Sequence, residues 1–180
     1  MKRLASLTSV IAATVFTIGL MAQGKTNFTG KWVQFDPDPA AAAAGGGGGG
    51  ARGGRGGGRG GWGQTVSLTQ DATSLKVERT QGQATVTETF KLDGTEGKNT
   101  LPAFREGGAP TEVAYTAKWD GAKLVINTKQ SINMQGNAMT IESKRELSLD
   151  ATGNLVVTTT TSGMGGGEAP PPVTVKYKKG

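Results

Sequence analysis

Arg79, Glu88 and Arg145 are the residues of this chain whose types and positions could do chemistry. Each lies in a run of alternating apolar and polar residues, and each shares its parity with the apolar set. Arg79 goes with Leu75 and Val77, Glu88 with Val86 and Phe90, and Arg145 with Ile141 and Leu147. Successive side chains of a strand point to opposite faces, so this parity aims three charged groups inward. A charge buried alone is costly, and groups so placed must pair or face a wet cavity. The chemistry on offer is recognition: a polar anchor that orients a carboxylate or other polar head in a pocket. Tyr115, on the apolar face of its own strand, completes the candidate ligand-binding set. The competing reading is a register shift or strand end that carries the three charges into solvent.

Other chemistries find no support in the sequence. There is no histidine and no cysteine. That removes the usual general base at neutral pH, the commonest metal ligand, thiol nucleophiles and zinc–thiolate sites. Neither S-x-x-K nor G-x-S-x-G occurs, and the glycine tract lacks the Lys-Ser end of a phosphate loop. Asp36-Pro37-Asp38 reads as a turn rather than a calcium site. The expectation is a protein with no enzymatic activity, no cofactor and no metal.

The elements that must position the anchor are strands. No segment sustains the i, i+3, i+4, i+7 pattern of a helix, whereas period-two alternation rich in Thr, Val and Ile recurs. Nine strands are predicted: 29–35, 66–69, 75–80, 84–92, 112–119, 123–130, 139–149, 155–161 and 173–178. Asp93-Gly94, Asp120-Gly121, Asn137-Ala138 and the Asp150–Asn154 stretch supply turn residues between them. Short connections imply an all-β, antiparallel up-and-down meander. Its apolar face points inward and its Thr, Lys, Ser and Glu face outward, the reverse of an outer-membrane barrel. About eight or nine strands closing as a barrel leave no exposed edge.

Residues 1–24 have the layout of a secretory signal peptide: Lys2 and Arg3, an apolar run diluted by Ser and Thr, then small residues at Ala22 and Gly24. Cleavage before Lys25 would leave a single β domain, 25–180, in the periplasm or outside the cell. No membrane span would remain. Residues 37–63 interrupt this domain with the Gly/Arg-rich run "GGGGGGARGGRGGGRGGWG". Its glycines lose too much backbone entropy on ordering to be held by side-chain contacts, so it reads as a disordered, solvated insertion after the first strand. Loop closure grows slowly with length, and a domain tolerates such an insertion. Removal of Lys2 and Arg3 lowers the net charge from +6 to +4, with Arg52, Arg55 and Arg59 supplying three of the remaining charges. The rest is near neutral and lacks the interleaved aromatics of nucleic-acid binders. These three arginines offer a weak, sequence-blind polyanion contact and no specific nucleic-acid site.

The stretch Asn27-Phe28-Thr29-Gly30-Lys31-Trp32 and the hairpin sequence from Ala117 to Ile126, "AKWDGAKLVI", resemble small secreted bacterial lipocalin-like proteins, largely of unassigned function. The resemblance implies a calycin-type barrel in which Trp32 plugs one end. A basic side chain of the last strand, Lys176, Lys178 or Lys179, would pack across the indole, a contact worth about 0.5–2 kcal/mol. It also implies a monomer that takes a small apolar or amphipathic ligand. The alternative is a cell-envelope protein whose Arg-Gly loop touches anionic polysaccharide or a protein partner.

Overall fold

Alternation of apolar and polar residues builds ten strands in the computed structural model, which describes residues 25–37, 61–81, 84–102, 108–134, 137–162 and 169–180. They are β1 (Gly30–Pro37), β2 (Thr65–Gln70), β3 (Ser74–Gln81), β4 (Ala84–Lys91), β5 (Gly97–Leu101), β6 (Thr111–Asp120), β7 (Lys123–Met134), β8 (Asn137–Leu149), β9 (Leu155–Ser162) and β10 (Val173–Lys179). Burial follows parity. In β4, Val86, Glu88 and Phe90 are buried while Thr85, Thr87 and Thr89 are exposed, and in β9 Leu155, Val157 and Thr159 are buried. Among the described residues there is no helix.

The hydrogen-bonded order is β4-β3-β2-β1-β10-β9-β8-β7-β6-β5, every pair antiparallel. It is the expected meander, curled until β4 and β5, at the two ends of this order, come side by side. They close the barrel without a backbone ladder, and side chains bridge the seam instead. The Thr89 N–H donates to Asn99 Oδ1 at 2.9 Å, and the Lys91 N–H donates to the Tyr115 hydroxyl at 3.3 Å.

Three expectations change. β5 is a tenth strand; its sequence, GKNTL, has no buried side chain and so no alternation to read. Gly97 is required there, because a Cβ would overlap the ring of Tyr115, its partner across the ladder. Asp36 and Pro37 continue β1, paired with Lys176 and Val175 beyond a register shift, rather than starting a turn. Pairing of β1 with β2 ends at Val33, so Pro37 lies where one side of the strand needs no donor. Asn137 and Ala138 also sit in a ladder, opposite Met134 and Asn133, which moves that turn to 135–136.

An up-and-down barrel puts alternate connections at opposite ends. Connections after β1, β3, β5, β7 and β9 all leave from one end, called the mouth here, and most of their residues lie outside the described set. The opposite end is closed by the segment before β1. Phe28 is fully buried and stacks on Trp119 at 5.9 Å. The Trp32 indole N–H donates to the Phe28 carbonyl at 2.9 Å. Gln70 accepts from the Phe28 N–H and donates to the Thr26 carbonyl, and the Thr26 hydroxyl donates to the Ala122 carbonyl. Trp32 is the largest side chain of this plug, and its replacement by Ala should cost about 3–5 kcal/mol, read as a lower urea midpoint; an unchanged midpoint would show that the plug carries no stability.

Turns at the closed end repeat one device. Asp71, Asp93 and Asp150 each accept from the backbone N–H and hydroxyl of the Thr two residues on, an Asx-type turn. Hydrogen bonds from Ser74 and Thr73 hold the Asp71 carboxyl at about 2, and those from Thr152 and Asn154 hold Asp150 at about 2. Hydrogen bonds from Thr95 lower Asp93 in the same direction. A carboxyl depressed on folding stabilises above its unfolded value, near 4, and loses that contribution as pH falls toward its folded value. The melting temperature should therefore drop between about pH 4 and pH 2. A double variant, Asp71→Asn with Asp150→Asn, should melt lower at pH 6 and show a shallower acid decline.

Candidate functional site

Halfway up the barrel the apolar interior is broken by a charged layer. Arg79 on β3 and Glu88 on β4 form an ion pair, Nε to Oε2 at 3.2 Å, with side chains 15% and 5% exposed. Arg145 on β8 enters from across the barrel, five places away in the strand order. It is attracted by Glu88 and repelled by Arg79. Burial pulls its guanidinium below the ordinary arginine value, the largest influence on it, and Glu88 partly restores it. The group stays protonated, since arginine is not deprotonated in proteins. Its Nε is enclosed and has no hydrogen-bond partner. The register shift or strand end that would have taken these charges to solvent does not occur. Among the described residues the layer brings together two guanidinium groups and one carboxylate.

The layer is roofed by a residue from the far end of the Gly/Arg run. Trp62 is 2% exposed, and the Arg145 guanidinium carbon lies 5.8 Å from its ring centroid. The Trp62 backbone N–H donates to the Tyr177 hydroxyl at 2.9 Å. Burial pushes the Tyr177 phenol above its ordinary value. Gly61 abuts Tyr177 and Val175 closely enough that a Cβ would collide with the phenol oxygen, and Gly63 turns the chain with φ +96°. Composition predicts a solvated insertion up to residue 63; its last residues instead reach the core. The available signal was a lone Trp directly before a strand at the end of a glycine run.

The four candidate ligand residues do not all converge. Arg79, Glu88 and Arg145 meet, whereas Tyr115 belongs to the seam. It is 5% exposed, packs edge-on against Phe90 at 5.0 Å and spends its hydroxyl on the Lys91 N–H. Tyr177 is the phenol beside the charges. At the closed end the cation over Trp32 is Lys179, 5.7 Å from the ring, not Lys176 or Lys178. Trp32 pairs with Lys179, and the inward parity of Tyr177 passes to Lys179 while Lys176 and Lys178 take the opposite face. Arg52, Arg55 and Arg59 lie outside the described residues.

A groove of about 620 Å³ crosses β6 to β9, lined largely by outward-parity side chains such as Thr116, Asn127, Lys129 and Glu142. Lys129 and Glu142 are exposed and already paired at 3.2 Å. Lys144 is likewise paired with Glu146, so the cations of that surface are already met, and the interior layer is the better candidate. Among the described residues no cluster of acidic side chains could hold a metal ion.

The architecture is that of an antiparallel β-barrel, nearly closed, with a charged layer in an apolar interior. No protein-family model matches the chain, and no curated protein does. Its structure is similar to that of a REP1-NXSQ fatty acid transporter, with 15% identity and a TM-score of 0.49 over 84% of this chain and 95% of that one. It is also similar to the wild-type fluorescent protein UnaG, with 20% identity and a TM-score of 0.48 over 85% and 97% of the two chains. A mutant form of UnaG gives 21% identity and a TM-score of 0.48.

The position of Glu88 orders two substitutions. Glu88→Gln removes the carboxylate that faces both guanidinium groups and should cost about 3 kcal/mol, the scale for breaking a buried pair. Arg79→Gln leaves Glu88 facing Arg145 and should cost less. Urea denaturation of both variants checks the order, and the reverse order would contradict a carboxylate that serves both arginines.

Proposed function

We propose that the protein is an exported, non-enzymatic binding barrel that takes a small amphipathic anion from the mouth into the charged layer. The acidic group of the ligand sits against Arg145, with Arg79 contributing charge, and its apolar part rests on the barrel wall. The observation that carries this reading is the enclosed Arg145 Nε, a donor without an acceptor among the described residues. A buried donor left unmet is costly, and an incoming carboxylate would meet it with a charge-assisted bond. The apolar layers below, from Leu68, Leu75, Phe90, Leu124, Leu147 and Leu155, are fully buried. The ligand is accordingly short, held near mid-barrel rather than threaded along the axis. Export rests on the sequence of residues 1–24.

Octanoate, octanol and octylammonium separate charge from apolar content. Calorimetric titration should show octanoate binding, weaker binding of octanol by about tenfold or more, the scale of one charge-assisted hydrogen bond, and none of octylammonium. Arg145→Gln should weaken octanoate by a similar factor while leaving the barrel folded. Equal binding of all three, or an unchanged affinity in Arg145→Gln, would contradict an anion site.

A further inference from the structure

We infer that Trp62 is an internal competitor: its indole fills the anion site of the free protein, and a ligand must displace it to reach Arg145. This rests on the anion-site reading above and concerns how that site is controlled. The indole lies over the same guanidinium that would meet the ligand, 5.8 Å from its carbon to the ring centroid. A cation over an indole face is a favourable contact, so Trp62 partly answers the charge of Arg145. It answers it poorly, because an indole offers no acceptor to the enclosed Arg145 Nε–H. The Trp62 Nε1–H is itself enclosed without a partner. Two buried donors thus lie in one neighbourhood with no acceptor for either, a defect that an acidic ligand would remove.

The attachment of Trp62 also suits release. It lies outside any strand, and one backbone hydrogen bond, to the Tyr177 hydroxyl, is its only one among those described. Gly61 and Gly63 flank it, the latter at φ +96°. Strand-like pairing resumes just beyond, where the Gln34 N–H donates to the Gln64 carbonyl at 2.8 Å. Residues 61–63 can therefore swing as a unit without disturbing a ladder. Trp32 makes the contrast: it sits within β1, is paired on both sides, and its indole N–H is bonded to Phe28. With the site self-occupied, apparent affinity is the intrinsic affinity multiplied by the fraction of molecules in which Trp62 is out.

The test uses the full chain labelled with 5-fluorotryptophan, and its three ¹⁹F resonances, one for each Trp, are assigned with the Trp62→Phe variant. On addition of octanoate the Trp62 line should move toward the position of a solvent-exposed indole while those of Trp32 and Trp119 stay. Calorimetry should show Trp62→Gly binding octanoate more tightly than the parent by about tenfold or more, the inverse of the open fraction, and Arg145→Gln cancelling that gain. Binding by Trp62→Gly alone supports the competition, with the parent closed to this ligand. Octanoate binding to the parent with an unmoved Trp62 line overturns the competition and leaves the anion site standing, because Trp62 is then a wall. Weaker binding by Trp62→Gly with a stationary line has the same meaning. No binding by either protein overturns both readings. The resonance measurement needs no substitution at Arg145, and Trp32→Phe with Trp119→Phe gives the same assignment by elimination if Trp62→Phe fails to fold.

Discussion

An arginine whose side chain enters a β-barrel and has its Nε enclosed there must have much of its charge answered from inside the barrel. Water supplies that answer at a surface; in the interior only side chains, backbone groups or a ligand can. Glu88 pairs with Arg79 directly and attracts Arg145 at longer range. The indole of Trp62 lies over the Arg145 guanidinium, and the hydroxyl of Tyr177 accepts from the Trp62 backbone. Much of the mid-barrel arrangement follows from that demand.

That demand is sustainable because the two ends of the barrel do different work. At the closed end Phe28, Trp32 and Trp119 pack together, with Lys179 laid over Trp32 and aspartate-capped turns between the strands. That end supplies apolar burial, the main source of folding free energy. The middle of the barrel then tolerates a costly charged layer. The seam between β4 and β5 shows the same division, since it is bridged by Asn99 and Tyr115 side chains instead of a ladder.

Strands with inward Leu, Val and Phe were legible because parity and burial coincide along them, as in β4 and β9. The inward charges were legible for the same reason: Arg79, Glu88 and Arg145 replace apolar residues at positions the alternation marks. β5 was not, because GKNTL buries no side chain and its place depends on Gly97 lying under Tyr115. Tyr115 and Tyr177 have the same parity signal, and only the order of strands around the barrel tells the seam from the charged layer. The choice of Lys179 over Lys176 and Lys178 required the register of β10 against β1. Trp62 was hidden by its context. A glycine run predicts loss of order for the backbone but says nothing of an indole at its end that finds a cation.

Arg145 is a charged group whose Nε is enclosed in the barrel with no acceptor among the described residues. The most direct measurement is the ¹H–¹⁵N spectrum of the arginine Nε–H groups near pH 6, assigned by comparison with Arg145→Gln. The Arg145 Nε–H should exchange slowly with water and resonate away from free arginine, shifted by the ring current of Trp62. An Arg145 signal that exchanges at the rate of the unfolded chain, at the free-arginine position, would place the guanidinium in solvent and contradict the account.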